Sequence, residues 1–332
     1  MKKGNIENKN KAYFISLANT RASASMMLIS FAGVFVLLIE ILSFYSYYDK
    51  IVGVNPFSNW FFDILVSYCL YLIIVFFIPL IGKFAYRRQV LSTTLLLLTY
   101  IGIFLSLQIM ELLIIVSALA NKEFEIGYTK YAVFAVPFVV ICTLLGFVYN
   151  YFWLKKQLKI GFSPTRTLGN YFTKSNSYSK NRLYIIFACS MLGAILSGYF
   201  GVVLGIALTI LFSYAFTQLL TEVSYLLYLK TKSKEYWEDE PENNPTLWDL
   251  LWNWLKGFSL KKAKIRIPLE ILFFVLIIVL LDNLGYNGSS LARPILLVWS
   301  IRILFTIVTI DLIGSIIYSI INRIKNKRKN KK

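Results

Sequence analysis

LYIIFACSMLGAILSGYFGVVLGIALTILFSYAFTQLLTEVSYLLYL, residues Leu183 to Leu229, holds one charged side chain, Glu222, in 47 residues. As a single α-helix it would be about 70 Å long, more than twice the roughly 30 Å hydrocarbon core of a bilayer. The stretch therefore predicts two membrane-crossing helices with a break between them. Gly198-Tyr199-Phe200-Gly201 is the place for it, since glycine permits the turn.

Comparable apolar runs lie on both sides. They fall at about 26–48, 60–82, 92–119 and 131–154 before this stretch, and at 268–284 and 291–318 after it. The stretch itself divides into 183–200 and 202–229. Ile64 to Ile81 is continuously apolar rather than alternating, so these runs read as helices and not as strands of a barrel. The chain is 57% hydrophobic and only 16% charged, against roughly 25% charged residues in a soluble domain. The expected fold is an all-α integral membrane protein, a bundle of about eight transmembrane helices.

Basic residues fix the expected orientation. Segments 1–25, 83–91, 155–182, 230–267 and 319–332 hold 30 of the 35 Lys and Arg residues. The alternate loops hold only Lys50, Lys122, Lys130 and Arg293, and Arg302 lies within a run. The positive-inside rule then places both termini in the cytoplasm. One run fewer would put 230–267 and the tail on the wrong side, so the charge pattern also supports the break near Gly198. The organisation is a basic leader 1–25, one polytopic membrane domain 26–318 with inner loops 83–91, 155–182 and 230–267, and a basic tail 319–332. The first run ends in Phe44-Tyr45-Ser46-Tyr47-Tyr48-Asp49 rather than at a small-residue cleavage site, so it is expected to be retained. A bacterial-type plasma membrane is the expected location.

The net charge of +18 does not point to nucleic acid. These charges flank apolar runs, where they set topology and meet anionic headgroups at about 1 kcal/mol each. The lipid bilayer is thus the first expected partner.

Chemistry-bearing motifs are absent. The chain has no histidine, which removes His-based zinc sites, Ser-His dyads and histidine relays. Cys69, Cys142 and Cys189 are dispersed within apolar runs. No phosphate-binding glycine loop and no Gly-x-Ser-x-Gly elbow occurs. No catalytic residue, metal or cofactor is expected.

What remains are ionisable residues inside the runs: Glu40, Glu111, Glu222, Arg302 and Asp311. Such groups are costly in lipid and normally face the bundle interior. By depth, Glu40, Glu111 and Arg302 could meet, so an Arg302 pair with one of these acids is expected. Gln108 shares a face with Glu111 at i, i+3, Gln218 shares one with Glu222 at i, i+4, and Thr306 shares one with Arg302. Glu40, Gln108, Glu111, Arg302, Thr306, Glu222 and Asp311 form the candidate substrate or ion pathway. The bland alternative is a set of polar crossbraces.

The loop 230–267 carries a second signal. An acidic block, Glu235, Glu238, Asp239, Glu240 and Glu242, precedes Pro245-Thr246. Thr246 suits an N-cap, with Asp249 three residues on. From 247 to 258 the polar residues Asp249, Asn253 and Lys256 form one stripe, and Trp248, Trp252, Trp254 and Phe258 cover the rest. This predicts an amphipathic helix lying in the membrane interface. The segment 235–258 is also the place for a cytoplasmic protein partner, with the acidic block as handle. Two functional classes fit the whole: a transport-type protein for a small solute, ion or lipid, or a non-transporting scaffold, assembly or self-protection protein. An intramembrane enzyme fits least well.

Overall fold

The computed structural model describes residues 2–47, 60–120, 124–163, 200–257, 263–283 and 295–329. Among the described residues every regular element is helical. They are α1 (Lys2–Ala18), α2 (Ile29–Tyr47), α3 (Trp60–Phe77), the short α4 (Phe84–Arg87), α5 (Gln89–Ala120), α6 (Phe124–Ile160), α7 (Phe200–Lys232), α8 (Leu247–Gly257), α9 (Ala263–Asn283) and α10 (Ile295–Lys329). Short 3-10 turns at Ala24–Leu28, Ile78–Leu80 and Lys234–Tyr236 link some of them.

Five helical segments are long and apolar enough to cross a membrane: Ala24–Leu42, Phe62–Leu80, Gln89–Val116, Tyr131–Ile160 and Phe200–Lys232. The fold is all-α and of membrane type. The runs at 268–284 and 291–318 fall on α9 and α10, with an apolar core at Leu269–Val279 in the first. The run at 183–199, and with it most of the expected break, lies outside the described residues, as do Phe258 and Cys189. Helix α7 begins at Phe200, inside the expected break.

Helix α5 is the centre of the bundle. It packs along α7 most extensively, then along α6 and α2, while α3 lies against α2. Tyr100, Phe104, Leu219, Leu220 and Val223 belong to one core cluster, and Met110, Ile114, Leu204 and Leu208 to a second. The outer face of α6 leaves Val133, Phe134, Leu144, Leu145 and Val148 at least half exposed. An apolar row of that size belongs against lipid, not water.

Segments that the charge pattern groups together gather at one end of the bundle. Helix α1 lies across the ends of α6 and α7, burying Tyr13, Phe14, Leu17 and Ala18. Tyr13 stacks on Phe162 with ring centroids 3.8 Å apart, and Asn10 Nδ2 donates to the Leu158 carbonyl at 2.9 Å. The acidic strap after α7 closes the same end: Lys11 pairs with Glu235 at 2.5 Å, Arg87 with Glu240 at 3.2 Å, and Lys83 donates to the Glu242 carbonyl at 2.7 Å.

Helix α8 has the expected boundaries to within a residue. Its N-terminus is closed by a reciprocal cap. The Asp249 N–H donates to Thr246 Oγ1 at 3.3 Å, and the Thr246 N–H donates back to Asp249 Oδ2 at 3.0 Å. The Thr246 hydroxyl also donates to Asp249 Oδ2 at 2.7 Å, and this bond together with that from the Thr246 N–H holds the Asp249 carboxyl below the usual range. The helix has three sectors. Leu250, Trp254 and Gly257 pack inward, near Met26 of the Ala24–Leu28 turn. Asp249, Asn253 and Lys256 are exposed and polar, while Trp248 and Trp252 are exposed and apolar. The helix thus has one side on protein, one polar and one aromatic.

Candidate functional site

The polar groups of α5, α6 and α7 form one seam through the bundle. On α7 the hydroxyls Thr209, Ser213 and Thr217 recur every fourth residue and therefore share a face. Each is buried. Two glycines let the helices close on this face. A Cβ on Gly146 of α6 would come within 2.8 Å of the Ser213 carbonyl, and one on Gly205 of α7 within 2.6 Å of Ile115 on α5.

Glu111 and Gln108 of α5 project into the seam. Thr209 faces the Glu111 carboxyl, which is completely buried and finds no hydrogen-bond donor among the described residues. Gln108 Oε1 accepts long bonds from Ser213 Oγ at 3.4 Å and Thr143 Oγ1 at 3.5 Å, and its Nε2 has no acceptor among the described residues. One turn further along, Asn150 of α6 donates to Thr217 Oγ1 at 2.9 Å and to the Tyr214 carbonyl at 3.1 Å. A buried carboxyl group is normally neutralised by a donor, a proton or a cation. Glu111 is the group in the seam that lacks the first of these among the described residues.

A different kind of site lies nearer the Lys232 end of α7. Arg21, from the leader, enters the bundle and pairs with Glu222 at 2.9 Å, with both side chains almost wholly buried. Glu222 lies about 15 Å inside the Lys232 end of α7. Gln218 Nε2 donates to Glu222 Oε1 at 3.2 Å, Arg21 Nη2 donates to the Tyr13 hydroxyl at 3.2 Å, and the Tyr100 hydroxyl donates to the Arg21 carbonyl at 2.7 Å. Two turns beyond Glu222, the buried Lys230 ammonium donates to Thr93 Oγ1 at 3.0 Å. Glu238 of the strap reaches into the same hollow, where its carboxylate accepts from the Ala24 N–H at 2.7 Å. Gln89 clamps the Glu238 backbone, donating to its carbonyl and accepting from its N–H, both at 2.6 Å. Burial pushes the Glu238 carboxyl up to about 8, against the opposing pull of the Ala24 N–H and the Lys230 charge. Thr209 and Lys230 are about 30 Å apart along α7, but at 100° per residue Glu222 lies on another side of the helix than the three hydroxyls, and Phe104, Phe216, Leu219 and Leu220 form apolar core at the levels between.

The remaining candidates separate. Glu40 of α2 is completely buried beside Ser106 of α5, with no hydrogen-bond donor among the described residues. Arg302 meets neither Glu40 nor Glu111. It is exposed on α10, with its guanidinium 5.6 Å from the Trp299 ring, and Thr306 beside it is exposed too, bonded to the Arg302 carbonyl. The neighbours Ile301 and Leu304 are the α10 residues that pack on the bundle. At 100° per residue, this turns Arg302 away from both acids. Asp311 is a crossbrace. It receives Arg266 of α9 through Nε at 2.6 Å and Nη2 at 2.7 Å, a two-point pairing between helices.

Of the docking-helix residues, Trp248 and Trp252 are exposed and Trp254 is packed. Much of the acidic block is engaged by the chain itself, through Lys11, Arg87 and the Ala24 amide. Arg21, Lys230, Asn150, Gln89 and Glu238 are the site residues that sequence reasoning missed. The i, i+4 hydroxyls of α7 and a lone Asn inside the run 131–154 were the available signals. Nothing local marks Arg21 as different from the other basic residues of the leader. Compared with protein-family models, with curated proteins and with solved structures, the chain matches none.

Proposed function

We propose that this chain is a transport-type membrane protein, a permease or permease subunit, that passes a small ion or solute along the α5–α6–α7 seam. The carrying observation is Glu111. Its carboxyl group is completely buried among hydroxyls and amides, without a hydrogen-bond donor among the described residues. Holding it there costs stability, and exchange of a proton or cation is a use that justifies the cost. In this reading Gln108, Thr209 and Ser213 line the route beside it, and Glu40 is a second acid in the same bundle. The eight-span count with both ends inside belongs to the same reading. It rests on the spacing of apolar runs and on the basic segments that meet at one end, which the positive-inside rule makes cytoplasmic. A bacterial-type plasma membrane is the proposed location. Helix α8 remains the proposed contact for a cytoplasmic partner, through Trp248 and Trp252.

The test is ion flux into liposomes that carry the purified protein and an entrapped pH- or sodium-sensitive dye. Flux above that of empty liposomes, falling at least tenfold in Glu111→Gln, is the expected result. Flux that is the same with and without protein, or unchanged in Glu40→Gln/Glu111→Gln, sinks the reading. A second reading, a non-transporting scaffold or self-protection protein, draws support from the two buried or half-buried ion pairs, Arg21–Glu222 and Arg266–Asp311. These are braces, and a bundle held by them need conduct nothing.

A further inference from the structure

Between α3 and α5 the chain turns back within a few residues, at the end of the bundle where the basic segments gather. Helix α3 gives way to the Ile78–Leu80 turn, α4 supplies one helical turn, and α5 starts at Gln89. The turn frames a hollow of about 500 Å³ lined by Ile81, Lys83, Phe84, Arg87, Arg88 and Asn244. That volume is in the range of small-molecule sites.

Its chemistry is two-sided. Three cations face one carboxylate: Glu240 lies 3.2 Å from Arg87 and 3.8 Å from Lys83, and the Arg88 side chain makes no ion pair among the described residues. The hollow therefore keeps a surplus of positive charge, carried by groups that bind phosphate well. Ile81 and Phe84 stand beside these cations and are 62% and 43% exposed. Membrane-crossing segments end at Leu80 and begin at Gln89 on either side, so the hollow opens at headgroup depth. A soluble anion would use the cations and leave Ile81 and Phe84 in water. A phospholipid uses both.

We propose that this hollow binds the headgroup of an anionic phospholipid. Arg87 and Arg88 take the phosphate, while Ile81 and Phe84 lie against the start of the acyl chains. Glu240 competes for the same cations and so sets the affinity. The site is independent of whether the seam conducts.

Native mass spectrometry of the detergent-purified full-length protein, titrated with phosphatidylglycerol or phosphatidylcholine, tests it. Phosphatidylglycerol should be retained in preference to phosphatidylcholine. Arg88→Gln should weaken retention about fivefold, and Arg87→Gln/Arg88→Gln about thirtyfold, at about 1 kcal/mol per cation. Glu240→Gln should strengthen it, an opposite change that general damage to the fold cannot produce. Equal retention of the two lipids overturns the proposal, as does unchanged retention in Arg88→Gln. Displacement of the lipid by millimolar inorganic phosphate assigns the cations to a soluble anion and overturns it as well.

Discussion

Two buried acids of the same bundle, Glu111 and Glu222, are treated in opposite ways. Glu222 has an arginine at 2.9 Å and a glutamine at 3.2 Å. Glu111 is as deeply buried, yet what approaches it is the Thr209 hydroxyl, and no cation pairs with it among the described residues. A pair that neutralises itself is a brace, whereas a lone buried acid is a liability unless something else visits it. The contrast separates a site that holds the fold from one that is open to chemistry.

The sharpest way to break that division is at Arg21. Arg21→Met strands the Glu222 carboxylate in a dry site, and loss of one partner of a buried pair costs about 3–5 kcal/mol. The guanidinium also anchors Tyr13, and the Arg21 carbonyl receives Tyr100, so α1 should release with it. Thermal unfolding in detergent should show a large fall in Tm, and Arg21→Met/Glu222→Leu should recover most of it. If Arg21→Met melts with the parent protein, Glu222 is not braced and the two acids are alike.

Glu111 should respond in the other direction. Glu111→Leu removes an unpartnered polar group from the interior, which is worth about 1–3 kcal/mol. Its Tm should rise or hold while ion flux is lost. A loss of stability comparable to that of Arg21→Met would make Glu111 a second brace and remove the reason to assign it a ligand.

The sequence made some of this legible and hid the rest, for reasons that differ by range. Helix α8, its Thr246–Asp249 cap and the Gln218–Glu222 pair depend on residues three or four apart, so helical periodicity is enough to find them. Depth is also local, because counting residues from the end of an apolar run gives it. Azimuth is not. Arg302 and Glu111 share a depth in their runs, but the choice of Ile301 and Leu304 as the packed face of α10 turns Arg302 outward, and only the tertiary arrangement makes that choice. The Arg21–Glu222 pair was hidden twice over. Its members are two hundred residues apart, and a rule that counts every basic residue near a span as an orientation signal assigns Arg21 to water. The same rule groups basic segments, several of which meet at one end of the bundle, but it says nothing of what any one basic residue does there.

The smallest effect lies at the Lys232 end of α7, where the strap closes over Lys230. Burial raises the Glu238 carboxyl to about 8. A group whose folded value lies above its unfolded one contributes stability below the unfolded value, and that contribution fades as pH rises through the folded one. For Glu238 the window runs from the ordinary carboxyl range near 4.5 up to about 8. The Ala24 N–H and Lys230 of α7 favour the charged form, while the neighbouring Asp239 opposes it and Tyr86 of α4 lies nearby. Hydrogen exchange, corrected for intrinsic rate, should therefore show residues 234–246 losing protection between about pH 4.5 and about pH 8, while α5 and α7 keep theirs. Glu238→Gln should hold the strap closed across that range. Protection that does not change with pH in the parent protein would mean that the carboxyl is charged throughout. The strap would then be held independently of pH by the Gln89 clamp, the Ala24 N–H and the Lys11, Lys83 and Arg87 contacts, and this end of the bundle would be a fixed brace like Arg21–Glu222.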